Sequence, residues 1–175
     1  MPKSNKLTDR RSECPIAFGL DLFGDKWTLL ILRDMLFYKI TRFSDFAVRE
    51  SISTNILAER LSRLENAGII TKEQDKTLKN QNIYYITDKG RDLLPILIEM
   101  SAWGLQYDEQ TPVSKTFVRR LATQRKQIAE EITDAVKNDT FEEYRGRAMG
   151  VDPINNFDTT KHSSFSIALA LGQGD

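Results

Sequence analysis

The 175-residue chain has one cysteine, Cys14, and one histidine, His162. A lone cysteine excludes an internal disulfide. A lone histidine in a polar tail leaves no Ser/His/Asp, Cys/His or metal-ligand constellation at credible spacing. No glycine-rich phosphate loop is present. Catalysis is therefore not expected, nor a metal or other cofactor. Charge of one sign is missing too: 25 basic residues stand against 25 acidic ones, so the whole chain does not announce nucleic acid. No run approaches the roughly 20 apolar residues of a membrane span. The opening MPKSNKLTDRRS has no apolar core of the signal-peptide kind. The expected setting is a reducing cytoplasm, with no membrane partner.

What is present fits a folded chain: 40% hydrophobic and 29% charged residues, in a length suited to one domain, or one domain plus an appendage. A modest basic excess is local. Lys39 to Arg91 holds ten Lys/Arg against seven Asp/Glu. Two copies of the chain would bring two such patches together.

The stretch Ile52 to Gly68 reads as one amphipathic helix. Ser53 suits its N-cap, where a hydroxyl accepts from an unpaired backbone N–H. Ile52, Ile56, Leu57, Leu61 and Leu64 recur at helical spacing on one broad face. Asn55, Ala58, Glu59, Ser62 and Asn66 lie opposite, with Arg63 at the edge. Gly68 suits the left-handed residue that ends a helix. Short hydrogen-bonding side chains on an outward face suit entry into a DNA major groove. A plain solvated face is the rival reading for the stretch taken alone.

The neighbours decide. Before it, Thr41 caps a predicted short helix with Phe43 and Phe46 inward and Arg42 at its start. Two helices joined by a short turn form the helix-turn-helix pattern. After it, Ile69 to Glu73 and Ile83 to Ile86 read as strands around a polar turn, DKTLKNQN. That hairpin is a wing, with Lys76 and Lys79 at its tip for phosphate or the minor groove. The predicted recognition helix spans 53–67 and the wing 74–83. Thr54, Asn55, Ser62 and Arg63 are the candidates to reach base edges, and Ala58 to meet a thymine methyl. Ser53 shares their end of the helix. Glu59 would accept from cytosine or orient Arg63. Arg42 would hold phosphate.

Upstream, residues 1–13 form a polar arm. Pro15 suits a first helical turn, which places Cys14 near the N-cap. There a thiol is either activated by the helix end or is a small buried hydrophobe. Asp25 caps a second helix that is apolar on most sides. Downstream, a helix from Thr87 to about Tyr107 carries more apolar surface than one domain face needs, with a kink expected at Pro95. Its apolar residues, Leu94, Leu97, Ile98 and Trp103 among them, pack either on a second subunit or on the segment that follows. A further helix is predicted from Ser114 to about Lys137. Its first half is basic and its second acidic, against the helix dipole. Those charges answer an acidic partner, an antiparallel twin, or solvent. Asn138 to Gly150 suggests one more short helix, and the tail ends in an apolar run, SFSIALAL.

The expected fold is mainly α with a small β-hairpin: a winged helix-turn-helix domain over 14–110 and a C-terminal helical extension and tail over 111–175. Several pieces in one order strengthen it: Cys14-Pro15, GDKW at Gly24 to Trp27, LILRD at Leu30 to Asp34, Arg42-Phe43 before Phe46, and Ile52-Ser53. Arg60-Leu61, Leu64-Glu65, Ala67 to Ile70, Thr87 to Leu94 with Gly90, Pro95 and Trp103-Gly104 continue the series. Together they resemble the HxlR-type winged helix-turn-helix regulators, a MarR-like branch. The resemblance covers about Cys14 to Asp108. It implies a homodimer joined through N-terminal and last core helices, bound to double-stranded DNA at a pseudo-palindromic operator. It also implies, for Cys14, the position where some members sense oxidants or electrophiles, so an oxidant or small-molecule effector is the further partner expected. The wing is poorer in proline and arginine than the family's. About 65 residues lie beyond the resemblance, suited to a larger dimer interface, an effector or another protein.

Overall fold

The computed structural model describes residues 12–49, 51–75 and 81–150. Helix α1, Pro15–Phe23, starts at Pro15 as the missing N–H of proline permits, with Cys14 extended at its N-cap. Helix α2, Thr28–Phe37, has Trp27 at its N-cap, and the Asp25 side chain, expected as the cap, holds the turn that leads into it. Its Oδ1 accepts from the backbone N–H of Trp27 at 2.9 Å and of Thr28 at 3.1 Å, and its Oδ2 from the Thr28 hydroxyl at 2.6 Å. Helix α2 runs through the middle of the core, burying Ile31, Leu32, Met35, Leu36 and Phe37. This all-round burial follows from its all-round apolar sequence.

Helices α3, Phe43–Arg49, and α4, Thr54–Asn66, form the helix-turn-helix. Ser51 makes the turn between them with φ +51°. The wing follows as strands β1, Ile70–Gln74, and β2, Asn82–Ile86. They pair antiparallel, Ile70 opposite Ile86 and Gln74 opposite Asn82. A hairpin alone is marginal, and here a third short segment joins it. Arg42 bridges Ile83, and the Tyr84 N–H donates to the Thr41 carbonyl at 2.9 Å. Thr41 thus serves the wing through its backbone, and Arg42 occupies the start of α3: its carbonyl accepts from Asp45 and Phe46.

The predicted helix from Thr87 to Tyr107 is two helices, α5, Asp88–Arg91, and α6, Leu94–Tyr107. Pro95 does more than kink the chain. It has no N–H to continue a helix, so the chain breaks ahead of it and Pro95 falls in the first turn of α6, where that N–H is not needed. The Thr87 hydroxyl caps α5, accepting from the Gly90 N–H at 3.2 Å. Gly90 is fixed by space: a Cβ there would lie 2.4 Å from the Ile69 carbonyl oxygen.

The predicted helix over Ser114 to Lys137 is also two, α7, Lys115–Thr123, and α8, Arg125–Lys137, broken at Gln124. Ser114 caps α7, accepting from the Phe117 N–H at 3.1 Å. The break explains the charge order. Arg120 of α7 pairs with Glu131 of α8, and Arg125 with Glu99 of α6 at 2.6 Å. For these two arginines the answering neighbour is this same chain, while Lys115, Arg119, Lys126, Glu130 and Asp134 face solvent. Helix α9, Phe141–Tyr144, passes into one π-helical turn at Arg145–Met149.

The extension shares one core with the rest. Phe117, Leu121, Ile128, Ile132 and Val136 join the cluster that includes Leu32, Leu57 and Leu97. Phe141 stacks on Phe37 with ring centres 4.6 Å apart, and the Arg145 guanidinium donates to the Tyr38 hydroxyl at 3.0 Å. Leu94, Leu97 and Ile98 are buried inside the chain, by α2, α7 and α8. For these three, α6 packs on the segment that follows. Trp103 differs: it is 64% exposed. The arm over 1–11, the tail over 151–175 and the wing tip over 76–80 lie outside the described residues.

Candidate nucleic-acid interface

Helix α4 is held down by Leu57, Leu61 and Leu64, each almost fully buried. Burying one such leucine contributes about 1.5–3 kcal/mol. Ile52 is buried just ahead of the helix. Ile56, expected on this face, is instead 36% exposed. It lies about 100° around the helix from Leu57, which puts it on the flank.

The opposite face is solvent-facing. Ser53, Thr54, Asn55, Ala58, Glu59 and Ser62 are all exposed. Ser53 is the N-cap residue, but by backbone alone: its carbonyl accepts from the Leu57 N–H at 2.9 Å, and its hydroxyl makes no capping bond. Among the described residues, the side chains of Thr54, Asn55 and Ser62 also make no hydrogen bond within the chain. Glu59 pairs with Arg60, not with Arg63.

Arg63 leans off the outward face. It donates to the Asp21 carbonyl and sits 3.9 Å from the Asp25 carboxylate. Arg60 meets the same carboxylate at 3.0 Å. Asp25 therefore joins the start of α2 to the flank of α4 and fixes the roll of the outward face. Burial alone would raise the Asp25 carboxyl. The hydrogen bonds from the Thr28 hydroxyl, the backbone of Trp27 and Thr28, and Arg60 outweigh that and hold it below the ordinary carboxylate value. This link was not legible in the sequence, which shows Arg60 only at the margin of an apolar stripe, 35 positions from its partner.

The C-terminal end of α4 is tied to the wing base. Gly68 turns the chain at φ +68°, a conformation glycine adopts without a Cβ clash. The Thr87 hydroxyl lies 2.8 Å from the Gly68 carbonyl, and Lys89 donates to the Ala67 carbonyl at 2.7 Å. Arg42, expected on phosphate, is engaged elsewhere. Its guanidinium pairs with buried Asp75 at 2.7 Å and donates to Gln81 at 3.3 Å. It bolts the two ends of the wing turn to the start of α3. The Asp75 N–H closes that turn on the Gln81 carbonyl at 2.9 Å. Lys76 and Lys79 fall outside the described residues. Cys14 is exposed at the start of α1.

Among the described residues, no group of three or more His, Cys, Asp or Glu is placed to hold a metal, and no helix is long and apolar enough to cross a membrane.

Comparison with known proteins agrees with this arrangement. The pattern of the HxlR-like helix-turn-helix family matches residues 22–112. The uncharacterized HTH-type transcriptional regulator YybR of Bacillus subtilis (strain 168) is 31% identical over 105 residues, 59% of this chain and 83% of that protein. The uncharacterized HTH-type transcriptional regulator YdeP of the same organism is 32% identical over 98 residues, 55% of this chain and 76% of that protein. The crystal structure of PA1607 is 36% identical with a TM-score of 0.55, covering 61% of this chain and 74% of that one. The matched span contains both helices of the helix-turn-helix, the wing and α6, and on that ground the chain belongs to the HxlR-like helix-turn-helix family, as a transcriptional regulator with a helix-turn-helix DNA-binding domain.

Proposed function

We propose that two copies of this protein bind a pseudo-palindromic operator in the cytoplasm, each placing the outward face of α4 in the major groove and its wing against the adjacent backbone or minor groove. The observation that carries this reading is the row Thr54, Asn55, Ala58 and Ser62: exposed, uncharged and without a side-chain hydrogen bond among the described residues, on a helix whose other face is firmly buried. Asn55 suits a bidentate contact with adenine, and Ala58 a thymine methyl. Lys76 and Lys79 supply phosphate contacts from the wing. Arg42 acts on DNA through the wing it bolts down.

The pairing of copies runs through apolar side chains left exposed on α1 and α6. Ile16, Leu20, Ile96, Met100, Trp103 and Tyr107 supply them. Of the four residues expected at this interface, Trp103 remains available for it, and its ring lies 5.3 Å from that of Tyr107. Aromatic anchors of this kind dominate the energetics of protein contacts. Cys14 stands exposed at the start of α1, within reach of oxidants, and its oxidation is proposed to alter operator affinity.

Selection of random duplexes on the purified protein tests the reading. An inverted repeat is expected, with affinity falling steeply between about 50 and 200 mM salt as phosphate contacts require. Salt-independent retention, or no enriched repeat, counts against it. For Cys14, wild type and Cys14→Ser should diverge in affinity after oxidant treatment. Identical behaviour ends the sensor reading.

A further inference from the structure

Between the wing and the extension lies a cleft of about 650 Å³, within the roughly 300–1,000 Å³ of small-molecule sites. Its apolar lining is mostly aliphatic and comes from four separate elements: Ile40 after α2, Ile86 from β2, Leu94 from α6 and Val136 from α8. The extension is therefore needed to build it.

Exposed cations complete the lining. Arg91 is paired with Asp88 at 2.7 Å. Lys39 pairs with Asp139 at 2.9 Å and donates to the Val136 carbonyl at 3.1 Å. Lys137 lines the same cleft, and it alone of these three has no ion-pair or hydrogen-bond partner among the described residues. Of the two acids on the lining, Asp139 is answered by Lys39, and Asp92 sits on the turn between α5 and α6. The Lys39–Asp139 pair also sets the shape of the cleft. Both residues have positive φ, +55° and +58°, and their contact joins the end of α2 to the end of α8. Left-handed non-glycine residues persist where their surroundings hold them.

We propose that this cleft binds a small monocarboxylate with an aliphatic body. The hydrocarbon lies on the aliphatic lining, and the carboxylate meets the Lys137 ammonium. Because β2 forms one wall and α8 another, an occupant touches the wing and the extension together. Its binding shifts the wing relative to α4 and so changes operator affinity. That last step rests on the DNA-binding reading; capture of the ligand does not.

Titration calorimetry of the full chain with decanoate below its micelle concentration tests the capture. Saturable binding of one decanoate per chain is expected, tighter than decanol or decylamine. Replacing the ammonium by Lys137→Gln should weaken it about tenfold, the scale of one charge-assisted hydrogen bond. Lys115→Gln, an exposed change on α7 away from the cleft, should leave it unchanged. Non-saturable uptake, equal or tighter binding of decanol or decylamine, or the same affinity in Lys137→Gln overturns the site. If decanoate is captured and the operator affinity of the saturated protein is unchanged, the coupling to the wing is overturned. If capture holds and the protein binds no DNA at all, the fault lies with the operator reading instead.

Discussion

Helices α4 and α6 are built alike and end differently. Each buries one face in the shared core, α4 through Leu57, Leu61 and Leu64, and α6 through Leu94, Leu97 and Ile98. Each leaves the other face in solvent. On α4 that face is short and polar; on α6 it carries Ile96, Met100, Trp103 and Tyr107. An exposed polar face costs nothing in water and gains by meeting hydrogen-bonding groups. A run of exposed large apolar side chains gains by leaving water. In the function proposed above, the same helix design serves DNA in one place and protein in the other, and the outward residues decide which.

The strongest way to break the comparison is to remove what the two helices share. Leu57→Ala should destabilise the fold by about 2–5 kcal/mol, as deletion of a buried leucine side chain does. Chemical denaturation measures this, and a cost below about 1 kcal/mol would show that α4 is not held by this face. Next come the faces that differ. Trp103→Glu should raise the dimer dissociation constant by a factor corresponding to about 2 kcal/mol or more, with the stability of the subunit little altered. Sedimentation across a concentration series separates the two effects, and an unmoved constant would take Trp103 out of the interface. Asn55→Ala should cost about 1–3 kcal/mol at one operator position. Binding to single-base operator variants reads it out; a uniform loss over all of them removes base reading from Asn55.

The smallest expected effect concerns the joint that aims α4. The Asp25 carboxyl is held below its ordinary value of 3.8 in the folded chain. Such a group adds stability above its unfolded pKa, and that stability is lost as pH falls through the folded value. Asp25→Asn should therefore cost stability at neutral pH and flatten the acid limb below about pH 4, where variant and wild type converge. An acid limb that keeps its slope would mean other carboxylates set it.

Local signals carried much of the fold. Helical spacing placed α4 to within a residue, because its apolar stripe, its cap position at Ser53 and the glycine at 68 all agree. Strand composition placed the wing, and Pro15 and Asp25 marked the starts of α1 and α2. Long-range pairing was the part that escaped. The pairing of Arg42 with Asp75 was hidden because two helices and a strand separate them along the chain. Ile56 looked buried because a broad stripe was drawn one position too wide. The basic and acidic halves of the extension left solvent, an acidic partner and an antiparallel twin open. A break at Gln124, with no proline or glycine to announce it, folds α7 against α8 and pairs Arg120 with Glu131.

The sequence by itself determined which residues want to be helical or extended, which faces are apolar, and that the outward side of α4 is polar. Those properties depend on neighbours three or four positions away. Only the tertiary structure decided which charged side chains are committed and which are available. It took Arg42, Arg60 and Arg63 into contacts that set the wing and the roll of α4, and left Asn55 and Lys137 without a side-chain partner among the described residues. It also turned Leu94, Leu97 and Ile98 inward and Trp103 outward on a single helix. Those outcomes depend on segments tens of residues apart meeting in space, a choice set by packing of the whole core.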